Sequence, residues 1–280
     1  MNFITSVITF NPTEFTLESI KSYIDYVEKL IIWDNTPAKH NDIIKNLERE
    51  YPSKIKIMGE YENRGISYAL NRIFEYAISE GYSHVLTMDQ DSLWENFKLY
   101  INSCNQRLDN NIAIYAPVVK IRDKVIHCNK TDFVITSGSL YNVDVFRKIG
   151  RFREEYFIDE VDNEYCLRAR IEGFRIQIID DAFLVQIFGT PSNKSWTNRY
   201  TVHYSSFRTY HQIRNRTWMW RQYHKHLSFR YFLRTLLFQT LRRMLLIMIA
   251  EENKSDKLKA ICKGWYHGLC KPIKPIIQYE

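Results

Sequence analysis

Short aliphatic and β-branched runs alternate with longer amphipathic stretches over about the first 180 residues, a pattern typical of βαβ units and a largely parallel sheet. The predicted strands are Phe3–Thr9, Lys29–Trp33, Ile55–Met58, His84–Met88, Ile112–Ala116 and Arg175–Ile179. The predicted helices are Thr16–Glu28, Asp42–Tyr51, Ile66–Ser79, Glu95–Leu108, Asp144–Ile149 and Asn163–Glu172. The pattern predicts an α/β domain that begins in the first half of the chain and is completed by the helix Asn163–Glu172 and the strand Arg175–Ile179.

Polar, turn-forming segments follow four of these strands. They are Asn11–Pro12, Asp34–Pro37, Glu62–Gly65 and Asp89–Ser92. Ligands of open α/β sheets bind beyond the carboxyl ends of the strands, so we expect these segments to converge on one crevice.

The last third of the chain carries an apolar stripe at helical spacing between Leu227 and Ala250. Four arginines are interleaved with it: Arg230, Arg234, Arg242 and Arg243. Its longest uninterrupted apolar run, Met244–Ala250, is far shorter than the roughly 20 residues that a spanning helix requires. The stripe predicts either an amphipathic helix on an acidic membrane, or a helix that faces the core or a homodimer interface.

Charge divides the chain in the same place. The net charge is +7, but residues from Lys194 onward carry 17 Lys/Arg against 4 Asp/Glu, a balance of +13, whereas the first 193 residues carry −6. This asymmetry indicates an anionic partner: a nucleic acid, an acidic lipid surface or a phosphorylated substrate.

Composition excludes several classes of protein. The chain is 45% hydrophobic and 25% charged, as in ordinary globular proteins. Its five cysteines include no C-x-x-C pair, which argues against a disulfide framework or a zinc site. The sequence opens without a secretion signal, so we expect a cytoplasmic protein.

Two acidic clusters are the candidate chemistry. Asp89 and Asp91 follow an apolar strand, where paired carboxylates hold divalent cations against phosphates; the alternative is a solvated turn in which Asp91 or Ser92 caps a helix. About 70 residues later the second cluster comprises Asp159, Glu160, Asp162 and Glu164. Mutual repulsion there can raise a pKa into the range of a general base, although an acidic helix start is the alternative.

Three further segments carry two interpretations each. Asp34-Asn35 can accept hydrogen bonds from a nucleoside or form a plain turn. Asn63-Arg64-Gly65 can meet a phosphate at a helix start or simply cap that helix. Ser137-Gly138-Ser139 can bring backbone close to a ligand or form a tight loop.

The order of these segments resembles the family 2 glycosyltransferases, and most of all the bacterial rhamnosyltransferases of cell-surface polysaccharide synthesis. The resemblance covers about residues 3 to 220. Its most specific parts are Asp89-Gln-Asp-Ser92 and Phe157-Ile-Asp-Glu-Val-Asp-Asn-Glu-Tyr-Cys-Leu-Arg168, supported by Thr9–Pro12, Trp33–Thr36, Glu62–Asn71 and Thr136–Leu140.

The resemblance implies a GT-A fold, an α/β class with a mixed, mostly parallel central sheet flanked by helices. It places a catalytic domain at 1–193, with a nucleotide-binding part to about 116 and an acceptor and base part from 117. A basic, mainly helical region follows at 194–280.

Residue roles also follow from the resemblance. Asp162 matches the catalytic base, Asp34 the nucleoside-binding residue, and Asp89 and Asp91 the D-x-D pair, with Asp91 nearest a Mg²⁺ or Mn²⁺ ion. The other donor-binding candidates are Thr9, Asn11, Asn63, Arg64, Gly65, Asn71 and Gln90. Candidates for contact with the acceptor or a phosphate are Ser137, Gly138, Glu164, Arg168, Arg214 and Asn215, with structural roles as the alternative for the last three.

One position departs from the family pattern. Many relatives place a metal-binding His where this chain has Gln186, whose carbonyl oxygen is a weak ligand. His203 is the alternative ligand, and the metal requirement is open on this ground.

The implied activity is inverting transfer of a sugar, with L-rhamnose from dTDP-rhamnose as the family-based expectation, to a hydroxyl of a glycan or lipid-linked saccharide. The protein would then work in the cytoplasm or peripherally at the inner face of the cell membrane. A nucleotidyltransferase of similar fold is the enzymatic alternative. A non-enzymatic anion- or nucleic-acid-binding protein is the other, but no nucleic-acid module supports it, so we expect no nucleic-acid partner.

Overall fold

The computed structural model describes residues 1–37, 41–121, 124–126, 133–186 and 204–279. The chain divides into two compact units. Unit 1 comprises Met1–Glu155, Tyr165–Ile187 and Ile276–Glu280, and unit 2 comprises Tyr156–Glu164 and Phe188–Pro275. The boundary that the sequence places at 193/194 lies outside the described residues and stays a prediction.

The described strands of unit 1 form one mixed sheet in the order β3-β2-β1-β4-β8-β6-β9-β5, with β7 paired to β6. The strands are β1 (Phe3–Thr9), β2 (Leu30–Asp34), β3 (Ile55–Met58), β4 (His84–Asp89), β5 (Ser92–Trp94), β6 (Ile112–Ile121), β7 (Lys124–Ile126), β8 (Ser139–Asn142) and β9 (Arg175–Gln186). The predicted α/β class is confirmed.

The first four strands are mutually parallel, with β1 between β2 and β4 and with β3 beside β2. The register aligns Thr9 with Asp34 and Ile8 with Asp89. The carboxyl ends of these strands therefore lie along one edge of the sheet, as the sequence predicts.

The other half of the sheet brings a distant residue to the same edge. β4 and β6 each pair antiparallel with β8, β9 runs parallel to β6, and β5 runs antiparallel to β9. This last pairing sets Ser92 against Gln186, so Gln186 lies beside the segment that follows β4.

Helices cover the sheet of unit 1. They are α1 (Glu14–Lys21), α2 (Asp42–Glu50), α3 (Ile66–Ser79), α4 (Phe97–Gln106), α5 (Val143–Ile149) and α6 (Val161–Ile171), the first turn of which belongs to unit 2. One predicted helix, Thr16–Glu28, is too long: α1 ends at Lys21, and Ile24–Tyr26 forms a separate 3-10 turn. The break allows the adjacent Tyr23 and Ile24 both to be fully buried, which one face of a continuous helix allows less readily.

The part of unit 2 from residue 204 onward is mainly helical. After α7 (Ser206–Tyr223) come α8 (Phe229–Tyr231), a π-helical segment (Phe232–Phe238), α9 (Gln239–Ala250) and α10 (Lys254–Cys270). Helices α7 and α10 approach closely at two glycines: a Cβ at Gly268 would lie 2.6 Å from the Cβ of Thr217, and one at Gly264 would lie 2.9 Å from the Tyr210 carbonyl oxygen.

The apolar stripe of Leu227–Ala250 is mostly exposed. Only Leu236 and Ile247 of the stripe's helices are buried aliphatic residues, whereas eight large side chains lie open: Phe229, Leu233, Leu237, Phe238, Leu241, Leu245, Met248 and Ile249. A helix that faces the core of this chain is therefore the wrong alternative for this stripe. No helix among the described residues is long and apolar enough to cross a membrane.

A substitution at Gly59, directly after β3, tests the packing at the carboxyl ends of the strands of unit 1. Its φ is +151°, and a Cβ would lie 2.5 Å from the Asp34 carbonyl oxygen. We expect Gly59→Ala to lower the free energy of unfolding by about 3 kcal/mol, because the clash adds to the backbone strain. Gly81→Ala is the control, since Gly81 also has positive φ (+77°) but open space around it. Equal urea midpoints for the two variants would contradict this packing.

Candidate active site

Asp34 anchors the predicted nucleoside site at the end of β2. Its Oδ1 accepts hydrogen bonds from the Thr36 hydroxyl (2.6 Å), the Thr36 backbone NH (3.0 Å) and the Thr9 hydroxyl (3.2 Å). Asp34 is buried, and three donors on one oxygen fix the plane of its carboxylate. Thr9 therefore acts on this site by orienting Asp34.

Two other predicted donor residues hold the loop after β1 in place. Gln90 exchanges two hydrogen bonds with the backbone of Phe10, at 2.8 and 3.1 Å, as a neighbouring strand would. The backbone NH of Asn11, whose φ is +49°, donates to the Thr36 hydroxyl. These contacts join the ends of β1, β2 and β4 into one rigid rim.

The segment before α3 is a folded cap. Gly65 is the N-cap with φ +89°, and its NH donates to the Asn63 side chain at 3.0 Å. The Arg64 guanidinium pairs with Glu60 at 2.9 Å and lies 3.7 Å from the centre of the Tyr68 ring. Arg64 is half-exposed on this edge, and its predicted phosphate contact stays a prediction.

Asn71, another predicted donor residue, lies inside the protein. It is fully buried, and its amide both donates to the Phe152 carbonyl and accepts from the Phe152 NH, each at 2.9 Å, while also donating to Glu154 at 3.0 Å. A side chain engaged in this way stabilises the fold and has no exposed surface for a donor.

Asp89 is the last residue of β4, and Asp91 belongs to the two-residue turn, Gln90-Asp91, that leads to β5. Both are partly exposed, which fits groups that meet a ligand. The Asp89 NH donates to the Ser137 hydroxyl at 3.0 Å, and the Gln186 amide nitrogen donates to Asp89 Oδ2 at 3.3 Å.

Ser137 and Gly138, two of the predicted contact residues, form hydrogen bonds within the protein. The buried Ser137 hydroxyl donates to the Ser92 hydroxyl at 2.8 Å, and the Gly138 NH donates to the Thr87 carbonyl at 2.8 Å. Gly138 has φ +76°, and a Cβ there would lie 2.9 Å from the Pro117 ring. The close backbone approach predicted at Gly138 is to the protein itself.

The residues around Asp89 fit a hard divalent cation. Such ions take oxygen ligands, commonly one or two carboxylates together with substrate phosphates. Asp89 and Asp91 supply carboxylates, and the buried Gln186 carbonyl oxygen accepts no hydrogen bond within the described part of the chain. That part contains no cluster of three or more His, Cys, Asp or Glu side chains suited to a metal, and His203 lies outside it.

The second acidic cluster lies in unit 2, on what we call the base loop, residues 157–162. Three of its residues that are not glycine have positive φ: Phe157 (+59°), Asp159 (+61°) and Glu160 (+63°). Side chains rarely adopt this conformation, so three cases within four residues mark a strained segment. Strain of this kind is common where a loop must present a group at a fixed position.

Helix α7 holds the base loop. The Asn215 amide nitrogen, fully buried, donates to the carbonyls of Tyr156 (2.8 Å), Ile158 (2.9 Å) and Asp159 (2.9 Å). Arg214 in turn donates to the Asn215 side-chain oxygen at 2.8 Å. Of the two roles open for Arg214 and Asn215, the structure supports the structural one.

Two ion pairs with residues of α7 also hold the base loop. Arg208 pairs with Asp159 at 3.0 Å, and Arg216 pairs with Glu160 at 2.8 Å. Sequence reasoning missed both arginines. The sequence signal for these arginines is that residues 208–216 and 159–164 carry opposite charges. This complementarity becomes informative only once the two segments are known to meet within unit 2.

Asp162, in the first turn of α6, differs from its acidic neighbours. No Lys, Arg or His in the described part of the chain pairs with it, and its Oδ1 accepts from the Asn163 NH at 2.8 Å. Burial, followed by repulsion from Glu160 and Asp159, raises the pKa of Asp162 to about 7. A carboxyl group with a pKa near neutrality can accept a proton from a hydroxyl and later release it.

The two other predicted acceptor residues have protein partners. The Glu164 carboxylate accepts from the buried Tyr223 hydroxyl at 2.5 Å. The Arg168 guanidinium, also buried, donates to the carbonyls of Ile149 (2.7 Å), Gly150 (2.9 Å) and Arg151 (2.9 Å) at the end of α5. Arg168 thus caps a helix end, which favours its structural role.

Solved structures identify the fold. S. aureus TarS, residues 1–349, superposes with a TM-score of 0.63 over 96% of this chain and 81% of its own, at 12% identity. The mannosyltransferase PcManGT from Pyrobaculum calidifontis, in complex with GDP-Man and Mn²⁺, gives 0.62 over 98% of this chain and 76% of its own, at 14% identity. The fold is therefore the GT-A fold of nucleotide-sugar transferases, as the resemblance implies.

Sequence comparisons narrow the class. Residues 6–101, which run from within β1 past β4 and the Asp89–Asp91 turn, match the model of glycosyl transferase family 2. The dTDP-rhamnosyl transferase RfbF of Shigella flexneri is 28% identical over 90% of each chain. Residues 6–101 therefore resemble a family 2 glycosyltransferase domain, and the chain as a whole is similar to a nucleotide-sugar transferase.

The raised pKa of Asp162 makes stability depend on pH. The folded state holds the Asp162 proton up to about pH 7, whereas an unfolded aspartate releases it near 3.8. The stability that comes from the Asp162 proton is therefore fully present below about pH 4 and is lost as the pH rises to about 7, on the order of 4 kcal/mol in all. We expect Asp162→Asn to lack this dependence on pH. Its free energy of unfolding, relative to that of wild type, should therefore be higher at pH 8 than at pH 4.

Urea unfolding at both pH values measures this effect. The exposed Asp180→Asn variant is the control and should follow the wild type at each pH. If the Asp162→Asn and wild-type curves stay parallel from pH 4 to pH 8, the pKa assignment is wrong.

Proposed function

We propose that the protein transfers L-rhamnose from dTDP-rhamnose to a hydroxyl of a saccharide or lipid-linked saccharide in surface polysaccharide synthesis, with inversion at the anomeric carbon. The observation that carries the transferase chemistry is Asp162 on the base loop, a carboxyl group with a pKa of about 7 and no Lys, Arg or His partner among the described residues. The choice of sugar and nucleotide rests on the named activity of the Shigella flexneri relative.

Unit 1 provides the donor-binding groups in this proposal. Asp34, oriented by Thr9 and Thr36, accepts hydrogen bonds from the nucleoside. Arg64, half-exposed before α3, approaches the diphosphate by leaving Glu60. The rim formed by Gln90 and the loop after β1 keeps these groups in place when the donor arrives.

Asp162 acts as the base. Its carboxylate removes the proton from the acceptor hydroxyl while the hydroxyl oxygen forms a bond to the anomeric carbon of the donor. The bond between that carbon and the diphosphate oxygen breaks, and the nucleoside diphosphate leaves with the electron pair. Attack from the face opposite the leaving group inverts the configuration. General-base assistance of this type typically accelerates a reaction by about 10²- to 10⁴-fold.

A divalent cation is part of the proposal. Asp91 and Asp89 would hold Mg²⁺ or Mn²⁺ together with the Gln186 carbonyl oxygen, and such an ion would neutralise charge on the departing diphosphate. The Mn²⁺ bound in the structure of the Pyrobaculum calidifontis mannosyltransferase is consistent with this arrangement.

Release of dTDP from dTDP-rhamnose tests the proposal. We expect Asp162→Asn to lower kcat by about 10²- to 10⁴-fold at pH 8 with little change in donor affinity, because only proton removal is lost. Asp91→Ala should instead weaken donor binding in the presence of Mn²⁺. In the wild type, kcat/KM should rise with pH through about 7, since the base form is required.

The reaction products separate the enzymatic alternatives. A nucleotidyltransferase would release pyrophosphate from a nucleoside triphosphate and would leave dTDP-rhamnose intact. Asp180→Asn is the control for the loss of one negative charge, because Asp180 is exposed on β9. Turnover like that of wild type in both Asp162→Asn and Asp91→Ala would refute the assigned site.

We also propose that the exposed stripe of unit 2 lies on an acidic membrane surface. Leu233, Leu237, Leu241 and Leu245 repeat every four residues and are each more than 40% exposed. Arg230, Arg234 and Arg242 are exposed beside them, and residues 229–250 contain no Asp or Glu. Apolar side chains flanked by arginines are the composition that binds anionic lipid.

Charge favours a membrane over a second copy of the chain. A two-fold dimer through this stripe would bring the arginines of both copies together, and like charges across an interface oppose association. Anionic headgroups would instead neutralise them, at about 1 kcal/mol for each arginine near the surface.

Flotation with vesicles tests the membrane proposal. We expect binding to vesicles with 30% phosphatidylglycerol, at roughly 10-fold or more lower affinity for Leu237→Ser/Leu241→Ser, because two apolar side chains no longer enter the bilayer. Leu99→Ser/Leu108→Ser removes two exposed leucines of unit 1 and should bind normally. A concentration-dependent dimer that the first variant abolishes, without vesicle binding by wild type, would establish the stripe as a dimer interface instead.

A further inference from the structure

Unit 2 contains a cavity that takes no part in the reaction proposed above. It has a volume of about 560 Å³ and lies between α7 and α10. Its lining residues are Ser206, Phe207, Tyr210 and His211 of α7 with Asp256, Lys259, Ala260, Lys263 and His267 of α10 and Lys271. We call it the α7–α10 cavity.

The cavity has a cationic wall. Lys259, Lys263, His267 and Lys271 recur at every fourth residue, so those within α10 share one face of that helix. The three lysines are exposed, and no carboxylate of the described residues lies within 4.0 Å of their amino groups. Asp256 is the one acidic residue among the described residues that line the cavity, and it forms no ion pair with these lysines.

The opposite wall is aromatic. The Tyr210 hydroxyl and His267 Nδ1 are 2.8 Å apart, and the Lys263 amino group lies 5.8 Å from the centre of the Tyr210 ring. Phe207 is more than half exposed in the cavity and contacts the His211 ring at 4.5 Å. Aromatic surfaces beside free ammonium groups suit a ligand with an anionic head and an apolar or sugar body.

Electrostatics within the cavity agree with an anionic ligand. Burial and the neighbouring Arg214 lower the pKa of His211 to about 4, so His211 is neutral at pH 7. Desolvation, followed by the charges of Lys271, Lys263 and Arg214, lowers the pKa of His267. The positive field that opposes protonation of His267 is the field that attracts a phosphate.

The cavity shares side chains with the base loop. The Phe157 ring, at the start of that loop, stacks on His211 at 5.3 Å and meets Phe207 edge-on at 5.3 Å. Two residues of the cavity wall thus support the loop that carries Asp162. A ligand in the cavity is therefore next to the segment that would act on the acceptor.

We infer that the α7–α10 cavity binds the phosphate or diphosphate of an anionic acceptor, in which that group joins a saccharide to a lipid. Lys259 and Lys263 contact the phosphate oxygens, and Phe207 and Tyr210 pack against the apolar or sugar portion. This inference rests on the proposed function for the identity of the acceptor, whereas the binding of a diphosphate does not require turnover.

Direct binding tests the inference on the full-length protein without donor or metal. The probe is farnesyl diphosphate, with titration calorimetry as the readout. We expect Lys259→Gln/Lys263→Gln to bind about 10- to 100-fold more weakly than wild type, since each loses a charge-assisted contact. Lys225→Gln/Lys254→Gln, which removes two exposed lysines of unit 2 outside the cavity, should bind as wild type does.

Three arms distinguish the sources of phosphate. Affinity for dTDP should be equal in all variants; a loss in Lys259→Gln/Lys263→Gln alone would assign the cavity to the donor and overturn the inference. Equal binding of farnesyl diphosphate by all variants would also overturn it. Phosphatidylglycerol vesicles should be bound equally by both double variants, because the exposed stripe of unit 2 is unchanged; a selective loss would make the cavity a general headgroup site.

The inference and the proposed function can fail separately. If dTDP-rhamnose is not a substrate but the lysine variants lose farnesyl diphosphate, the cavity stands as a diphosphate site of another transferase. If rhamnose transfer proceeds and wild type does not bind farnesyl diphosphate, the cavity assignment is wrong and the transferase assignment stands.

Discussion

Three hydrogen bonds from the buried Asn215 amide hold the base loop, whose strained backbone would not keep its conformation alone. Left-handed conformations at Phe157, Asp159 and Glu160 each cost on the order of 1 to 2 kcal/mol, and the loop also concentrates negative charge. The amide clamp and the two arginine pairs offset both costs. Among the described residues no Lys, Arg or His pairs with Asp162, so its burial, followed by repulsion from Glu160 and Asp159, raises its pKa without an opposing counter-charge.

The sequence predicts the parallel half of the sheet well, because buried parallel strands read as continuous apolar runs whatever their partners. It predicts less well which polar residues meet a ligand. Asn71 and Ser137 have residue types that bind nucleotides, yet their partners are Phe152, 81 residues away, and Asp89, 48 residues away. A pattern along the chain contains no record of such long-range contacts. Asp162 could be anticipated because its perturbing carboxylates are its own neighbours.

The positive charge of the last third of the chain has more than one physical use. Part of it is internal: Arg208, Arg214 and Arg216 serve the base loop, and Arg243 with Lys257 pairs with the buried Glu251. The remainder is external, on the exposed stripe and along α10. Net charge by itself therefore overstates the attraction of this region for an anion, since internal pairs contribute little to the field outside.

The π-helical segment Phe232–Phe238 gives the exposed stripe its geometry. In a regular α-helix, residues four apart advance by about 400°, so a row of leucines at that spacing winds around the axis by about 40° at each step. The i→i+5 hydrogen bonds of a π-helix widen the turn and reduce this drift. Leu233, Leu237 and Leu241 then follow a straighter line, so the stripe can lie along a flat boundary rather than touch it at a single point.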